Sequence, residues 1–301
     1  MIEVNTNTAL PFVREQIVDV SPHLFSSGSR KTDTELFRHL AVKQAISMMR
    51  SHFQDPLTLP EIASSVQLSP FHFNRIFRSI TGMPPSVYLA ALRIEQAKKL
   101  LLRTRLSVTS ICFDVGYNSL GTFTTRFTRF VGTAPSQLRQ LSKNEELQAL
   151  FQDWDLLKDN LSAFNRHGGK STIEGYIDIS QPFDGLIFIG LFPDPIPQGA
   201  PVSCTVLAGP GNYTLSSISK GKYYIFAAAL QRSEDLVEML EAGSSLRCGK
   251  QHPISIQWEG AHKSVDLLLS PMYWTDAPIL IALPWLLAVR LAERAFVPLP
   301  C

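Results

Sequence analysis

The sequence predicts a multidomain protein: an all-α segment of two tandem helix-turn-helix units, followed by a mostly β, sandwich-like domain. Three observations predict it. Apolar residues recur at three- and four-residue steps from residue 40 to about residue 141, as in Ala45, Ile46, Met49 and Phe53, the period of helices with one buried face. Two stretches in that span, "VQLSPFHFNRIFRSITGMPP" (66–85) and "GYNSLGTFTTRFTRFVGTAP" (116–135), repeat one layout. From residue 171 on the period falls to two, in short runs rich in Ile, Val, Tyr, Phe and Thr set apart by Gly, Pro and Asn.

In chain order, residues 1–38 are polar and weakly patterned, end in "SSGSRKTDTE", and read as an arm without its own core. Residues 39–142 hold the two helical units. Residues 143–170 predict an amphipathic linker helix whose Leu147, Leu150, Phe151, Trp154, Leu157, Leu161 and Phe164 make one narrow seam, with Asp153, Asp155 and Asp159 as a solvated acidic face. The seam spans fewer than about three heptads, so packing on its own chain and contact with a second copy both stay open. "HGGKS" breaks the chain, and residues 171–301 form the β-rich companion. Its strand runs are "IEGYIDI", "GLIFIGLF", "PVSCTVLA", "NYTLSSI", "KYYIFAAAL", "ISIQWEG" and "SVDLLLS", with helices expected at 235–241 and around 285–294. The apolar run "PILIALPWLLAVRLA" carries Pro284 and meets Arg290 short of the ~20 residues a membrane span needs, so it reads as a buried helix or strand.

Each helical unit carries its own punctuation. Ser69 and Ser119 stand where a helix N-cap is wanted, since a hydroxyl there satisfies a backbone N–H that the helix leaves orphaned. Phe73, Ile76, Phe77 and Ile80 form the inward face of the first long helix; Leu120, Phe123, Phe127 and Phe130 form that of the second. Gly82 and Gly132 end the helices, and Pro85 and Pro135 follow. A shorter helix precedes each, "PEIASSV" and "VTSICFDV".

The formal net charge is only +2, which excludes an argument for an anionic partner from the whole chain. Its distribution restores one: residues 40–142 hold twelve Lys and Arg against four Asp and Glu. The outward faces of the two long helices carry Phe71, His72, Asn74, Arg75 and Arg78, and Gly121, Thr122, Thr124, Thr125, Arg126 and Arg129. Arg can bond bidentately to guanine, Asn to adenine, and a Thr methyl can pack on thymine. Other basic groups would engage phosphates. For His72 a phosphate contact and an intraprotein bond remain open, and Phe71 either meets a thymine methyl or folds over the turn. "SVYLAALRIEQAKKLLLRT" (86–104) predicts a continuous connecting helix of roughly 28 Å. Such a spacer would set two reading helices into successive major grooves, and one chain without symmetry would read a non-palindromic site.

With these residues in hand, "IASSVQLSPFHFNRIFRSITGMPPSVYLAALRIEQAKKLL" and "SVTSICFDVGYNSLGTFTTRFTRFVGTAPSQLR" resemble the DNA-binding domain of the AraC/XylS family of bacterial transcription regulators. The resemblance covers about a third of the chain. It implies that Asn74 and Arg75, and Thr124 and Thr125, fall on base-contacting positions. It also implies an activator, double-stranded DNA and RNA polymerase as partners, and a companion domain that senses a small-molecule effector or holds a homodimer. The family's companion usually precedes the DNA-binding part, whereas here it follows. Cys112 stands for the usual Ala, Thr128 for a usual Lys or Arg, and Gly121 and Thr125 for larger polar side chains. The second unit is therefore expected to read fewer bases than the first.

Cys112, Cys204, Cys248 and Cys301 are scattered, without Cys-x-x-Cys spacing, which argues against a disulfide scaffold or zinc site and for the reducing cytoplasm. His252 and His262 with Glu259 lack a ligand spacing, so neither a metal, a cofactor nor a catalytic residue is expected. No P-loop, dinucleotide fingerprint or nucleophile elbow is present. "GNYTLSSISKGKYYIFAAAL" (211–230) resembles the Gly-Tyr-Thr and Gly-Lys-Tyr turns of prealbumin-like or carboxypeptidase-regulatory sandwiches, which implies binding or scaffolding. The alternative to a regulator is a ligand-binding or enzymatic β domain carried by a DNA-tethering module, motivated by Tyr223, Tyr224, Trp258, Tyr273 and Trp274.

Overall fold

The computed structural model describes residues 29–153, 156–157, 161, 171–241, 246–249 and 253–295. Residues 1–28 of the arm, Trp154, Asp155, Asp159 and Phe164 of the seam, and His252 lie outside them. Two compact units result, Met1–Ala41 and Val42–Cys301. Helix α1 (Ser29–Ser51) begins inside the stretch read as an arm. Its residues 33–40 are all exposed, so no buried stripe marks them in the sequence, whereas Val42, Ala45, Ile46 and Met49 are buried.

Six helices complete the two helical units: α2 (Leu59–Ser65), α3 (Pro70–Thr81), α4 (Pro85–Arg103), α5 (Val108–Asp114), α6 (Leu120–Val131) and α7 (Pro135–Leu141). A short α8 (Glu145–Gln152) follows, capped by the Asn144 side chain, which accepts from the Leu147 N–H at 2.7 Å. Of the expected seam, Leu147, Phe151, Leu157 and Leu161 are buried, which places them in this chain's own packing.

Two sheets build the β region. In the first, β1 (Thr172–Ile179) pairs antiparallel with β4 (Gly211–Leu215) and parallel, along its other edge, with β8 (His262–Ser264) and β9 (Leu267–Leu269). In the second the order is β3-β2-β5-β6, with β2 (Gly185–Phe192), β3 (Ser203–Leu207), β5 (Gly221–Gln231) and β6 (Leu246–Gly249); β7 (Ile254–Ile256) pairs the start of β5. The sheets close face to face on alternate residues, Ile173, Ile177 and Leu215 from one and Ile187, Ile189, Leu191, Ile225 and Ala227 from the other. Alternation, period two, is the signal the sequence carried. The four-residue β6 escaped it.

β2 breaks the alternation, because all eight of its positions are buried. A strand reads as a continuous apolar run when both faces of its sheet are covered. Here the second face is covered by the helical units and by residues 276–287, which lead into the final helix, α10 (Leu283–Ala295); α9 (Leu236–Glu241) precedes it. The expected helices at 235–241 and 285–294 correspond to these two. Several polar contacts join the regions. The Ala282 N–H donates to the Val131 carbonyl at 3.0 Å, and the Tyr88 hydroxyl to the Asp276 carbonyl at 3.1 Å. Arg103 grips Glu241 with two bonds, at 2.6 and 2.8 Å.

Lys98 lies at the centre of this junction. The residue is 2% exposed, and its ammonium donates to the Leu280 carbonyl at 3.0 Å. Loss of water around the charge pulls its pKa from 10.5 to about 7, with Glu95 and Glu241 partly opposing. Above pH 7 the folded chain has then released a proton that the unfolded chain keeps up to its ordinary pKa, so stability rises with pH between these values. Lys98→Met removes that term. We therefore expect the unfolding free energy of the parent relative to Lys98→Met to increase by on the order of 3 kcal/mol between pH 7 and pH 10, read from urea melts at each pH; a pH-independent difference would refute it.

Candidate nucleic-acid interface

The first unit is built from its caps outward. Thr58 and Glu61 form a reciprocal box at the start of α2: the Thr58 N–H donates to Glu61 Oε2 at 2.7 Å, and the Glu61 N–H to the Thr58 hydroxyl at 3.4 Å. The Thr58 N–H, and with it the Thr58 hydroxyl donating to Oε2 at 2.8 Å, holds the Glu61 carboxyl below its ordinary pKa. Gln67 turns the chain in the left-handed region at φ 57°, and Ser69 then caps α3 by accepting from the His72 N–H at 3.4 Å. Phe73, Ile76 and Phe77 are buried beneath α3, with the Phe73 and Phe77 rings 5.5 Å apart. Ile80, expected inward, is half-buried because it borders a cavity against the β region. Gly82 closes the helix at φ 77°.

The second unit repeats this with one residue more in its turn. Ser107 caps α5, Gly116 turns the chain at φ 84°, and Ser119 caps α6 by accepting from the Thr122 N–H at 3.4 Å. Phe123, Phe127 and Phe130 are buried. Leu120, expected inward, is 40% exposed, since it opens the helix one turn ahead of the stripe that packs. Cys112 is fully buried in the place of a small residue.

On α3, Phe71 projects freely at 80% exposure, so it does not fold over the turn. Arg75 and Arg78 are exposed, and Asn74 and His72 are half-exposed. His72 makes an intraprotein bond, Arg75 Nη2 donating to its Nδ1 at 3.3 Å. On α6, Gly121, Thr122 and Thr125 are exposed and Thr124 is half-exposed. From Glu61 to Glu95, and from Asp114 to Glu145, the chain has no intervening carboxylate.

Arg126 and Arg129 are exposed on α6 and each has a second neighbour. Counting from the capping serines, Arg126 takes the place that buried Ile76 holds in the first unit. Arg126 lines a crevice with Arg93, Leu89 and Leu59. Nearby, the Tyr117 hydroxyl is buried without a hydrogen-bond partner among the described residues; burial pushes its pKa up, and the Arg126 and Arg93 guanidiniums oppose that. Arg129 lies one turn beyond Thr125 and pairs at 3.9 Å with Asp194 of the β region, both side chains being half or more exposed.

Arg93 of α4 has a structural role, and its geometry shows how. Nε donates to the Phe53 carbonyl and Nη2 to the Asp55 carbonyl, both at 2.7 Å, while the guanidinium sits 5.7 Å from the Tyr117 ring centre. Gly116 completes the joint: a Cβ there would stand 2.5 Å from the Gln54 carbonyl oxygen. The loop after α1 and the turn of the second unit therefore meet on one side chain of the connector. Arg139 does similar work at the other end, donating to the Leu106 carbonyl at 2.6 Å and the Leu101 carbonyl at 3.2 Å.

Comparison with known proteins fits this geometry. Residues 62–141 match the profile of a helix-turn-helix domain. Among curated relatives, the bifunctional transcriptional activator/DNA repair enzyme AdaA of Bacillus subtilis is 35% identical over 95 residues, 32% of this chain and 45% of that one. The transcriptional activator RhaS of Escherichia fergusonii is 34% identical over 113 residues, 38% of each chain. This segment is an AraC/XylS-type helix-turn-helix domain. The chain spans less than half the length of these relatives, and the AraC-type match ends at Leu141, ahead of the β region. Among solved structures, the C-terminal domain of AraT, a response regulator from Geobacillus stearothermophilus, is 32% identical, covering 33% of this chain and 84% of that one with a TM-score of 0.33.

Elsewhere, His262 is exposed and bonds the Thr172 hydroxyl at 2.7 Å. No group of three or more His, Cys, Asp or Glu among the described residues could hold a metal, and no helix among them is long and apolar enough to cross a membrane. The two helix-turn-helix glycines offer a test of the joint. Gly82 and Gly116 both have positive φ, yet a Cβ at Gly82 meets nothing within 4 Å. Gly82→Ala is expected to cost about 1–2 kcal/mol of backbone strain. Gly116→Ala adds the clash with Gln54 and should cost at least about 3 kcal/mol; equal losses in urea unfolding would show that the joint tolerates a side chain.

Proposed function

We propose that this chain is a sequence-specific, DNA-binding transcription regulator that acts as an activator by placing α3 and α6 in successive major grooves. One observation carries the reading: two serine-capped helices present carboxylate-free faces and are fixed to a single 19-residue connector, α4, roughly 28 Å long. The helical repeat of DNA brings successive major grooves to one face about 34 Å apart. The AraC-type relatives that are transcriptional activators support the same reading.

Asn74 and Arg75 are the base readers of α3, and Thr124 and Thr125 those of α6. Phe71 meets a thymine methyl, and Arg78 and Thr122 lie against phosphates. His72 acts through Arg75, whose guanidinium it orients. Gly121 lets the backbone of α6 approach closely, since a Cβ there would find only the Ser119 hydroxyl within 4 Å. Arg126 and Arg129 border the interface and serve the joint and the β region first. RNA polymerase is the downstream partner on family grounds. The β region senses a small-molecule effector or holds a homodimer.

Selection of bound duplexes from a random library, run at two salt concentrations, tests this. The expected product is an asymmetric motif with two half-sites about 10 base pairs apart; salt-sensitive binding without a motif would leave only non-specific affinity. Given the motif, Arg75→Ala should lose about 1–3 kcal/mol and relax one base position. Arg78→Ala should weaken every sequence alike and reduce the salt slope by about 1. Uniform loss for Arg75→Ala would remove its base-reading role.

A further inference from the structure

A cavity of about 700 Å³ lies between the second sheet and the first helix-turn-helix unit. We propose that it binds a predominantly apolar small molecule and that its occupancy is transmitted to α3; the second half rests on the reading of α3 as a DNA-reading helix. Small-molecule sites span roughly 300–1,000 Å³, and this cavity lies within that range.

The floor follows from strand register. Residues of β2 and β5 that face away from the sandwich core come side by side: Phe188 pairs with Ala228, Gly190 with Phe226, Phe192 with Tyr224. Gly190 has no room for a Cβ, because the Phe192 ring would stand 2.8 Å from it, and that ring meets Phe226 edge-on at 5.9 Å. A second wall comes from Leu280, Leu283 and Leu287 of the segment that enters α10. The third is the last turn of α3 and the turn beyond it, from Arg78 to Met83, with Phe130 of α6 beside them.

The chemistry of the walls selects the ligand. The hydroxyls on α3 are already used, Ser79 donating to the Ile76 carbonyl and Thr81 to the Phe77 carbonyl, both at 2.8 Å. Asp276 and Arg78 are the charged residues that line the cavity among the described ones, and Asp276 accepts from the Tyr273 N–H at 2.8 Å. Arg78 is exposed at the rim. The occupant is therefore an apolar, ring-sized molecule with at most one anionic end, which Arg78 would meet.

Coupling follows because the cavity wall and the reading helix are one element. α3 begins at its Ser69 cap beside Phe71 and Asn74 and ends in the cavity at Thr81. A molecule that packs against Ile80 and Met83 biases the seating of α3, and one that engages Arg78 withdraws a cation from DNA. A ligand can move the equilibrium only by such differential contact.

The test uses the full-length chain and 1-anilinonaphthalene-8-sulfonate, an apolar double-ring probe with one anionic group. Fluorescence titration should give saturable binding of one dye per chain. Ala228→Trp, which fills the floor, and Ser270→Trp, at the exposed rim, should each weaken it by about tenfold or more. Circular dichroism checks that each variant folds, and the exposed Ser270 position carries the test if Ala228→Trp does not. Saturating dye should shift the affinity for the selected DNA by about fivefold or more in the parent and not in the variants. Dye binding that both variants retain in full, or no saturable binding, overturns the site. Cavity binding with DNA affinity unmoved overturns the coupling. Cavity binding by a chain that selects no DNA motif supports the site and counts against the DNA reading alone.

Discussion

Both helix-turn-helix units and one helix of the β region pack against the same helix. α4 buries ten of its nineteen residues, among them Tyr88, Leu89, Ala91, Ile94, Ala97 and Leu101, and these point around nearly its whole circumference. An amphipathic helix needs one apolar stripe; one that is buried all round serves several partners at once. α3, α5, α6 and α7 lean on it from the helical side, and α9 from the β side. The separation and rotation of α3 and α6 are thus set by one rigid element. So is the place where the β region docks.

Polar side chains refine what that burial begins. Arg93 satisfies two loop carbonyls beside the Tyr117 ring, and Lys98 places its amine in the junction with the β region. Both placements cost hydration of a charged group, fully at Lys98 and in part at Arg93, which the hydrogen bonds must offset. They sit where three segments distant in sequence meet, which is where directional bonds add most to a non-directional apolar core. Arg103 with Glu241 extends the same joint to the surface, where solvent screening reduces its weight.

The division between reading face and docking face also follows from this arrangement. Carboxylates are missing along both reading helices, so the potential there is positive although the chain is nearly neutral overall. The opposing charge is carried by the β region and by loops such as the one bearing Asp194 and the helix bearing Glu241. Arg129 is drawn to that side. Its position on a basic helix was readable, but its partner lies sixty-five positions away in sequence.

Much of the architecture was legible without coordinates. Serine caps, terminal glycines and the Phe stripes located α3 and α6, because capping and periodicity are local and depend on residues within a turn or two. Alternation located most of the strands for the same reason. The four residues of β6 were too few to show a period, and the start of α1 carries no buried stripe to show. Leu120 and Arg126 were placed by helical angle alone, and angle does not say which neighbour arrives from elsewhere in the chain. By itself the sequence determined the two units, their caps, the connector length and the carboxylate-free faces. Only the tertiary structure decided that the uniformly apolar β2 has its second face covered by the helical units and the segment leading into α10, that Lys98 is buried, and that α3 ends in a cavity. Those outcomes depend on contacts between segments far apart in the chain, whose geometry no local pattern encodes.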